Sequence, residues 1–228
     1  AGLVLGNEEN PALGLRGVRL SLVHGDLFDT QLRAIVRASG YGPVRVLVPM
    51  ISNREEVVAV RKRLKRVADK LRKQGAEVAD DIPIGAMIEV PAAAIALHAF
   101  VDLVDFLSIG TNDLVQYLLA ADRNNDALGE LYSPLNPGVV RLLKHIINVA
   151  NEHQTPVAVC GEIAGDAKLA PLLLALGLTE FSLHPATLLE VRKAIRHSDL
   201  AVLKARTDKL LQARDRTGIE NWLKSVSA

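Results

Sequence analysis

Residues 106–126 decide the fold of this chain, and they read FLSIGTNDLVQYLLAADRNND. The apolar run from Phe106 to Ile109 predicts a short buried strand, and Asn112 and Asp113 follow where that strand ends. Parallel strands are buried on both faces, and α/β folds place their chemistry at the carboxyl ends of such strands. An amide, a carboxylate and the guanidinium of Arg123 one helix later therefore predict a site for a phosphorylated or carboxylated ligand.

Further apolar runs predict more strands. They cover residues 44–48, 84–88, 156–159 and 181–183, and a weaker run covers 17–22. Amphipathic stretches with apolar residues at three-four spacing separate these runs. Because the strand segments are continuously apolar and alternate with helices, they predict a parallel sheet.

The helical stretches have recognisable ends. Ser52 and Glu55 are predicted to form the capping box of a helix that Gly75 ends. Residues 200–226 are predicted to form a helical tail with a break near Thr217–Gly218. Further helices are predicted over residues 30–38, 91–100 and 166–177, from Pro137 onward, and up to Ile195.

Polar residues that follow different strands favour a barrel over an open sheet. Glu89, Asp113 and Cys160 each lie at the end of a different predicted strand. In an open sheet only the strand ends at the switch point converge, whereas in a closed barrel all of them ring one mouth. We therefore predict a (β/α)8 TIM barrel that lacks its first strands, since five clear strands and a weak one leave two or three to be found. The whole chain, residues 1–228, is predicted to be one barrel domain, partial at its N-terminus.

Composition excludes several classes of protein. The chain has 228 residues, of which 49% are apolar and 23% charged, as suits a globular α/β domain. The formal net charge of +1 provides no basic field for binding nucleic acid, and no apolar stretch approaches the roughly 18 residues of a membrane span. The single cysteine permits no internal disulfide and predicts a cytoplasmic protein. The sequence starts without Met or a signal peptide and is interpreted as part of a longer protein.

Several common site motifs are missing from the sequence. The six histidines show no HxxxH or HxH spacing, so a transition-metal site is not predicted. Neither a Walker glycine-lysine loop nor GxGxxG occurs, so nucleotide binding has no support. His184 either lines the mouth of the barrel or caps a helix, and capping is the preferred interpretation.

Each candidate residue also has a purely structural interpretation. Glu89 and Asp113 suit helix capping or ion pairing, but two acids at neighbouring strand ends also suit Mg²⁺, which keeps waters and takes oxygen ligands from substrate. Arg16 and Arg123 are compatible with solvated loops, where Arg123 would pair with a neighbouring aspartate. Cys160 is either a small buried side chain or, as a neutral thiol near a substrate, a proton donor.

Five segments, taken together and in order, resemble a known family. They are NPALGLRGVR, MIEVPAAA, FLSIGTNDLVQYLLAADRNND, LYSPLNP and VAVCGEIAGD. They are similar to the C-terminal barrel of enzyme I of the bacterial phosphoenolpyruvate:sugar phosphotransferase system, from about Asn7 to Arg196. Pyruvate phosphate dikinase and phosphoenolpyruvate synthase share the TNDL and CG elements, but QYLLAADRNND followed by LYSPLNP resembles enzyme I. Two places depart from the family: Val90 stands where Thr or Ile is more usual, and residues 182–185 differ from the expected small polar run.

The resemblance implies roles for the charged residues. Glu89 and Asp113 match the family's Mg²⁺ ligands, and Asp113 also belongs to its substrate site. Asn112 and Arg123 match residues that hold the phosphate of phosphoenolpyruvate, and Arg16 matches another active-site arginine. The implied cofactor is therefore Mg²⁺.

The resemblance also implies an acid and a set of partners. Cys160 matches the acid that protonates the enolate of pyruvate. The implied substrates are phosphoenolpyruvate and pyruvate, and the implied partners are the carrier protein HPr and a second copy in a homodimer. The family's barrel starts upstream with two more strands that carry two further active-site arginines, and its phosphohistidine lies on a separate N-terminal domain. We therefore expect a breakdown product or part of a larger assembly, which alone does not phosphorylate HPr.

Other functions remain open from the residues themselves. A Mg²⁺-dependent lyase or aldolase acting on pyruvate enolate would use similar acids on a similar barrel, as would a barrel of the pyruvate phosphate dikinase type. A non-enzymatic interpretation is an oligomerisation or regulatory remnant without a competent site. Binding of Mg²⁺ and phosphoenolpyruvate distinguishes these possibilities.

Overall fold

One parallel sheet organises the computed structural model, which describes residues 8–226. Its five strands lie side by side in chain order, and each is parallel to its neighbours. They are β1 (Val46–Val48), β2 (Ile84–Ile88), β3 (Phe106–Gly110), β4 (Val157–Cys160) and β5 (Glu180–Phe181). The five clear strands predicted from the apolar runs are confirmed, with β1 and β5 shorter than predicted.

The sheet has two edges within the described residues. β1 pairs with β2 alone and β5 pairs with β4 alone. Residues 8–226 thus form a mixed α/β fold with a five-stranded parallel sheet, which is fewer strands than a (β/α)8 barrel contains. The predicted domain bounds of 1–228 include residues 1–7 and 227–228, which lie outside the described range.

The two faces of the sheet differ in how well they are covered. Alternate residues such as Ile88 and Ile109 are fully buried under the helices. The residues between them point to the opposite face, which carries Leu47, Met87 and Ser108. The register places Leu47 beside Gly85 and Met87 beside Ser108, and Leu47 is 37% exposed. This second face is the one that a closed barrel would enclose.

Helices fill the intervals between strands and form the C-terminal part of the chain. They are α1 (Gly17–Val23), α2 (Gly25–Ala38), α3 (Arg54–Lys73), α4 (Pro91–Ile95), α5 (Thr111–Leu119), α6 (Pro137–Glu152), α7 (Glu162–Gly165), α8 (Ala170–Ala175), α9 (Leu188–His197), α10 (Leu200–Ala205), α11 (Thr207–Leu211) and α12 (Arg216–Val226). Short 3₁₀ helices cover Pro11–Leu13, Leu97–Ala99, Val101–Leu103, Asp126–Leu128 and Pro185–Thr187. Among residues 8–226, no helix combines the length and the apolar character needed to cross a membrane.

The weak strand predicted over residues 17–22 is wrong, because this segment forms α1. Its apolar residues alternate, as in a strand, but Val18 and Leu22 also stand one helical turn apart. Both of these side chains pack against the core. The packing of this i,i+4 pair against the core thus favours a helix over a strand. Helix α1 is followed directly by α2, which begins at Gly25 instead of the predicted residue 30.

The predicted capping box at Ser52 and Glu55 is shifted by one residue. Asn53 caps α3, because its side chain accepts a hydrogen bond from the backbone N–H of Glu56, whose carboxylate accepts one from the N–H of Asn53 in return. The Ser52 hydroxyl instead donates to the carboxylate of Glu56 at 3.0 Å. Gly75, with φ of +79°, follows the helix end as predicted.

The break predicted near Thr217–Gly218 lies a few residues earlier in the structure. Gly218 lies inside the first turn of α12, where its N–H donates to Asp215 Oδ1 at 2.8 Å. The tail breaks instead at Arg206 and between Leu211 and Arg216. The predicted helix over 91–100 is likewise divided into α4 and 3₁₀ turns, and the one over 166–177 shortens to α8.

Candidate active site

The carboxylate of Glu89 is buried at the end of β2. Glu89 is 5% exposed, and its Oε1 accepts a hydrogen bond of 2.6 Å from the backbone N–H of Met50. Met50 lies two residues past β1 with φ of +60°, a left-handed conformation that side chains rarely adopt. Burial raises the pKa of Glu89, and the nearby charge of Asp113 raises it further, against the lowering effects of the Met50 N–H and of Arg16 and Arg123. The site therefore holds this carboxyl group at an energetic cost when its negative charge is uncompensated.

Asp113 lies between two arginines in the first turn of α5. Its Oδ2 accepts a hydrogen bond from Arg16 Nη2 at 3.1 Å, and its Oδ1 lies 3.7 Å from Arg123 Nη1. Asp113 is 8% exposed, and its buried Oδ1 accepts no hydrogen bond within the described part of the chain. A buried carboxylate oxygen that accepts no hydrogen bond is costly, so Asp113 Oδ1 is a candidate contact for a ligand.

The absence of a side chain at Gly110 leaves space for the Glu89 carboxylate beside β3. A Cβ at Gly110 would lie 2.9 Å from Glu89 Oε2 and 3.0 Å from its Cβ. Such contacts are closer than van der Waals packing allows, so a side chain at this position would displace Glu89. Gly110 thus lets the acid from β2 reach across the end of β3 toward Asp113.

Asn112 connects the ends of β3 and β4. Its Oδ1 accepts a hydrogen bond from the N–H of Glu162 at 3.1 Å, and its backbone carbonyl accepts one from the Tyr132 hydroxyl at 3.0 Å. Gly161, with φ of +95°, makes this approach possible, because a Cβ there would lie 2.7 Å from Asn112 Oδ1. With its oxygen engaged, the side chain of Asn112 presents its NH₂ group as a donor.

Cys160 ends β4 as a half-buried, neutral thiol. Ser108 donates its hydroxyl hydrogen to Cys160 Sγ at 3.2 Å, and the thiol lies 3.4 Å from the carbonyl oxygen of Ile109. Burial raises the pKa of the thiol, the charge of Glu89 raises it further, and the Ser108 hydrogen bond lowers it. A thiol that stays protonated at neutral pH has the protonation state that a general acid requires.

Both candidate arginines turn toward Asp113. Arg16 has extended backbone angles just before α1, and its Nη1 also donates to the Tyr117 hydroxyl at 3.1 Å. Arg123 follows α5, where its N–H donates to Gln116 Oε1 at 3.0 Å. Among the described ion pairs, Arg123 pairs with Asp113 and not with the neighbouring aspartates that the sequence offered as alternatives.

Sequence reasoning missed three contributors to this cluster. Met50 contributes through its backbone, and only its position after Pro49 at a strand end pointed to it. Tyr117 lies one helical turn after Asp113 on α5, which is a usable signal. Ser108 carries a hydroxyl group within an otherwise apolar strand, and this was a second usable signal. His184 is confirmed as a cap, since its Nδ1 accepts from the N–H of Ala186.

A cleft of about 620 Å³ opens beside the cluster. Met50, Gln116 and Tyr117 line it, together with residues 9–13, Val90 and Pro91, whereas Glu89 and Asp113 do not. The cleft therefore adjoins the charged site without containing it.

The fold and the cluster define an α/β protein whose charged side chains converge at the carboxyl ends of parallel strands, where enzymes of this architecture bind substrates. Residues 2–200 match the family described as "PEP-utilising enzyme, PEP-binding domain", and the chain belongs to this family. The family resemblance found in the sequence is thereby confirmed.

Three similar proteins are each longer than this chain. It is 48% identical over 206 residues to the phosphoenolpyruvate-protein phosphotransferase of Cupriavidus necator, covering 90% of this chain and 35% of that protein. The corresponding proteins of Priestia megaterium and Listeria monocytogenes are 41% and 46% identical, over 98% and 86% of this chain. The chain spans 39% and 34% of their lengths.

A solved structure supports the fold. The crystal structure of a citrate lyase from Burkholderia xenovorans superposes with a TM-score of 0.53 over 87% of this chain and 67% of that one. The two sequences are 18% identical, so this similarity describes the architecture alone.

Proposed function

We propose that this chain is the phosphoenolpyruvate-binding part of a phosphoenolpyruvate-protein phosphotransferase. The whole enzyme would transfer the phosphoryl group of phosphoenolpyruvate to a histidine on a separate domain and then to HPr, releasing pyruvate. The observation that carries the proposal is the Asp113 carboxylate held between Arg16 and Arg123 beside Glu89. The named relatives support this reaction over a lyase, an aldolase or a remnant without activity.

The two acids fit the Mg²⁺ that such a reaction uses. Asp113 Oδ1 accepts no hydrogen bond in the described structure, and burial beside Asp113 disfavours the charged form of Glu89, so a cation would relieve both. No group of three or more His, Cys, Asp or Glu side chains placed to hold a metal occurs in residues 8–226. Glu89 and Asp113 would therefore share the ion with water and substrate oxygens, as Mg²⁺ prefers. When bound, Mg²⁺ neutralises the negative charge on phosphate and carboxylate oxygens.

The side chains of this chain account for the remaining chemistry. The guanidinium groups of Arg16 and Arg123, with the NH₂ group of Asn112, would bind and orient the phosphate and compensate its charge. As the bond between phosphorus and the enol oxygen breaks, Cys160 would give its proton to the methylene carbon of the enolate, which yields pyruvate. The thiolate left on Cys160 would keep the hydrogen bond that Ser108 already donates to the sulfur.

We also propose that the five-stranded sheet is part of a (β/α)8 barrel. The support is the exposed inner face at Leu47 and the edges at β1 and β5, which further strands would cover. A homodimer, a cytoplasmic location and the encounter with HPr belong to the same proposal, because they are properties of the family that the chain resembles.

Isothermal titration of the chain with phosphoenolpyruvate, with and without Mg²⁺, tests the proposed function. We expect Mg²⁺-dependent binding that Arg123→Ala abolishes. Arg33→Ala, which removes an exposed arginine of α2, is the matched control and should bind normally. A wild-type chain that binds neither Mg²⁺ nor phosphoenolpyruvate would support the interpretation as a non-enzymatic remnant.

A further inference from the structure

The hydroxyl of Tyr117 joins three parts of the chain. It donates a hydrogen bond to the carbonyl oxygen of Ala12, accepts one from Arg16 Nη1 at 3.1 Å and lies 3.9 Å from Met50 Sδ. Ala12 belongs to the short 3₁₀ helix that precedes Arg16, and Met50 supplies the backbone N–H that binds Glu89. One phenol group thus contacts the segment that carries an arginine of the site and the residue that holds one of its acids.

Tyr117 and Asp113 hold the same arginine from one face of α5. They are separated by one helical turn, and Arg16 donates through Nη2 to Asp113 and through Nη1 to Tyr117. The guanidinium plane is therefore fixed by two acceptors, whereas a single ion pair would leave it free to rotate. Fixing a long side chain before the ligand arrives lowers the entropy lost on binding.

The protonation state of Tyr117 suits this arrangement. Burial raises the pKa of its hydroxyl, so the group remains protonated at neutral pH. A protonated phenol donates one hydrogen bond and still accepts another. Tyr117 does both, since its hydroxyl donates a hydrogen bond to the Ala12 carbonyl and its oxygen accepts one from Arg16.

We infer that Tyr117 is a positioning residue: its hydroxyl locks the Arg16 guanidinium and the preceding backbone onto α5, so that Arg16 faces an anionic ligand in a fixed orientation. The identity of that ligand as phosphoenolpyruvate rests on the proposed function. The fixed orientation of Arg16 does not, because it is a property of the chain without ligand.

Nuclear magnetic resonance of the ligand-free chain tests the orientation. The Nε–Hε signal of Arg16 is assigned by its loss in Arg16→Lys, and its heteronuclear ¹⁵N–¹H Overhauser effect reports whether the side chain is rigid. We expect a rigid Arg16 in the wild-type chain and a mobile one in Tyr117→Phe, which keeps the ring and removes only the hydroxyl. Tyr41→Phe alters a tyrosine that is 96% exposed and should leave Arg16 rigid. An Arg16 that stays equally rigid in Tyr117→Phe overturns the inference.

A double-mutant cycle tests the consequence for the ligand. With Mg²⁺ in excess, we expect Tyr117→Phe to weaken phosphoenolpyruvate binding about tenfold, a change of about 1.4 kcal/mol. Tyr117→Phe combined with Arg16→Ala should bind no more weakly than Arg16→Ala alone, because the hydroxyl acts through Arg16. Fully additive losses would contradict the positioning role. A wild-type chain that fails to bind phosphoenolpyruvate would count against the proposed function, and the resonance comparison would still decide the role of Tyr117.

Discussion

Ser108 donates its hydroxyl hydrogen bond to the sulfur of Cys160 at 3.2 Å, from the strand next to the one that Cys160 ends. This hydrogen bond lowers the thiol pKa, while burial raises it by more. The hydroxyl therefore stabilises the thiolate that would remain after proton donation.

Removing that hydroxyl should raise the pKa of Cys160. In Ser108→Ala we expect the pH profile of alkylation by iodoacetamide to move to higher pH, since only the thiolate reacts. Cys160 is the single cysteine of the chain, so total alkylation reports on it directly. Ser198→Ala removes a hydroxyl that bonds to the Ala194 carbonyl and should leave the profile in place. A profile shifted to lower pH would show that Ser108 stabilises the neutral thiol instead.

Replacing Glu89 by Gln should stabilise the metal-free chain at neutral pH by roughly 1 kcal/mol. The pKa of Glu89 is raised in the folded state, so its protonated form favours folding, and this contribution is lost as the pH rises from 4.5 through the raised pKa. Gln keeps the acceptor for the Met50 N–H and cannot ionise. Thermal unfolding should therefore separate the two proteins at neutral pH and bring them together in acid.

Magnesium provides the control for that comparison. Mg²⁺ should raise the unfolding temperature of the wild-type chain and have little effect on Glu89→Gln, because binding to the native state stabilises it. Equal stabilisation of both proteins would show that Glu89 is not a ligand.

A series of glycine substitutions should separate backbone strain from crowding. Gly161→Ala combines φ of +95° with a Cβ placed 2.6 Å from Thr111 Oγ1, and we expect a loss of about 3 kcal/mol in the free energy of unfolding. Gly75→Ala has φ of +79° in open space and should lose about 1 kcal/mol. Gly42→Ala meets neither obstacle and should change stability by less than about 0.5 kcal/mol. Denaturant titration measures all three, and equal losses at Gly161 and Gly75 would remove crowding as a cause.

Asn112→Asp should impair binding while sparing the fold. The new carboxylate can still accept the hydrogen bond from the N–H of Glu162, but it replaces the NH₂ donor with a negatively charged oxygen. We expect phosphoenolpyruvate binding to weaken by about two orders of magnitude, because a donor to phosphate becomes a repulsive group. Titration calorimetry measures the affinity, and an unchanged unfolding temperature confirms the retained fold. Normal affinity in this variant would exclude Asn112 from the phosphate site.

The sequence was sufficient to predict the strands and the polar residues at their carboxyl ends. Continuous apolar runs located all five strands, and Glu89, Asp113 and Cys160 could be placed on one edge because parallel strands bring their carboxyl ends together. Arg16 is distant from Asp113 along the chain, so local patterns gave no reason to pair them. The family resemblance, and not spacing, made Arg16 a candidate site residue.

Other features depend on tertiary packing that a local pattern does not contain. Residues 17–22 fit a strand and a helix equally well until Val18 and Leu22 meet the core. The left-handed conformation of Met50 could not be predicted from its residue type, because methionine rarely adopts a positive φ. Its N–H could therefore be assigned to Glu89 only in the folded chain.

Helix α5 connects three charged residues of the candidate site. It carries Asp113 itself, it holds Arg16 through Tyr117, and it holds the backbone of Arg123 through Gln116. A tilt or slide of this one helix would move an acid and both guanidinium groups in step. Affinity for the ligand would then depend on the position of the helix as a whole.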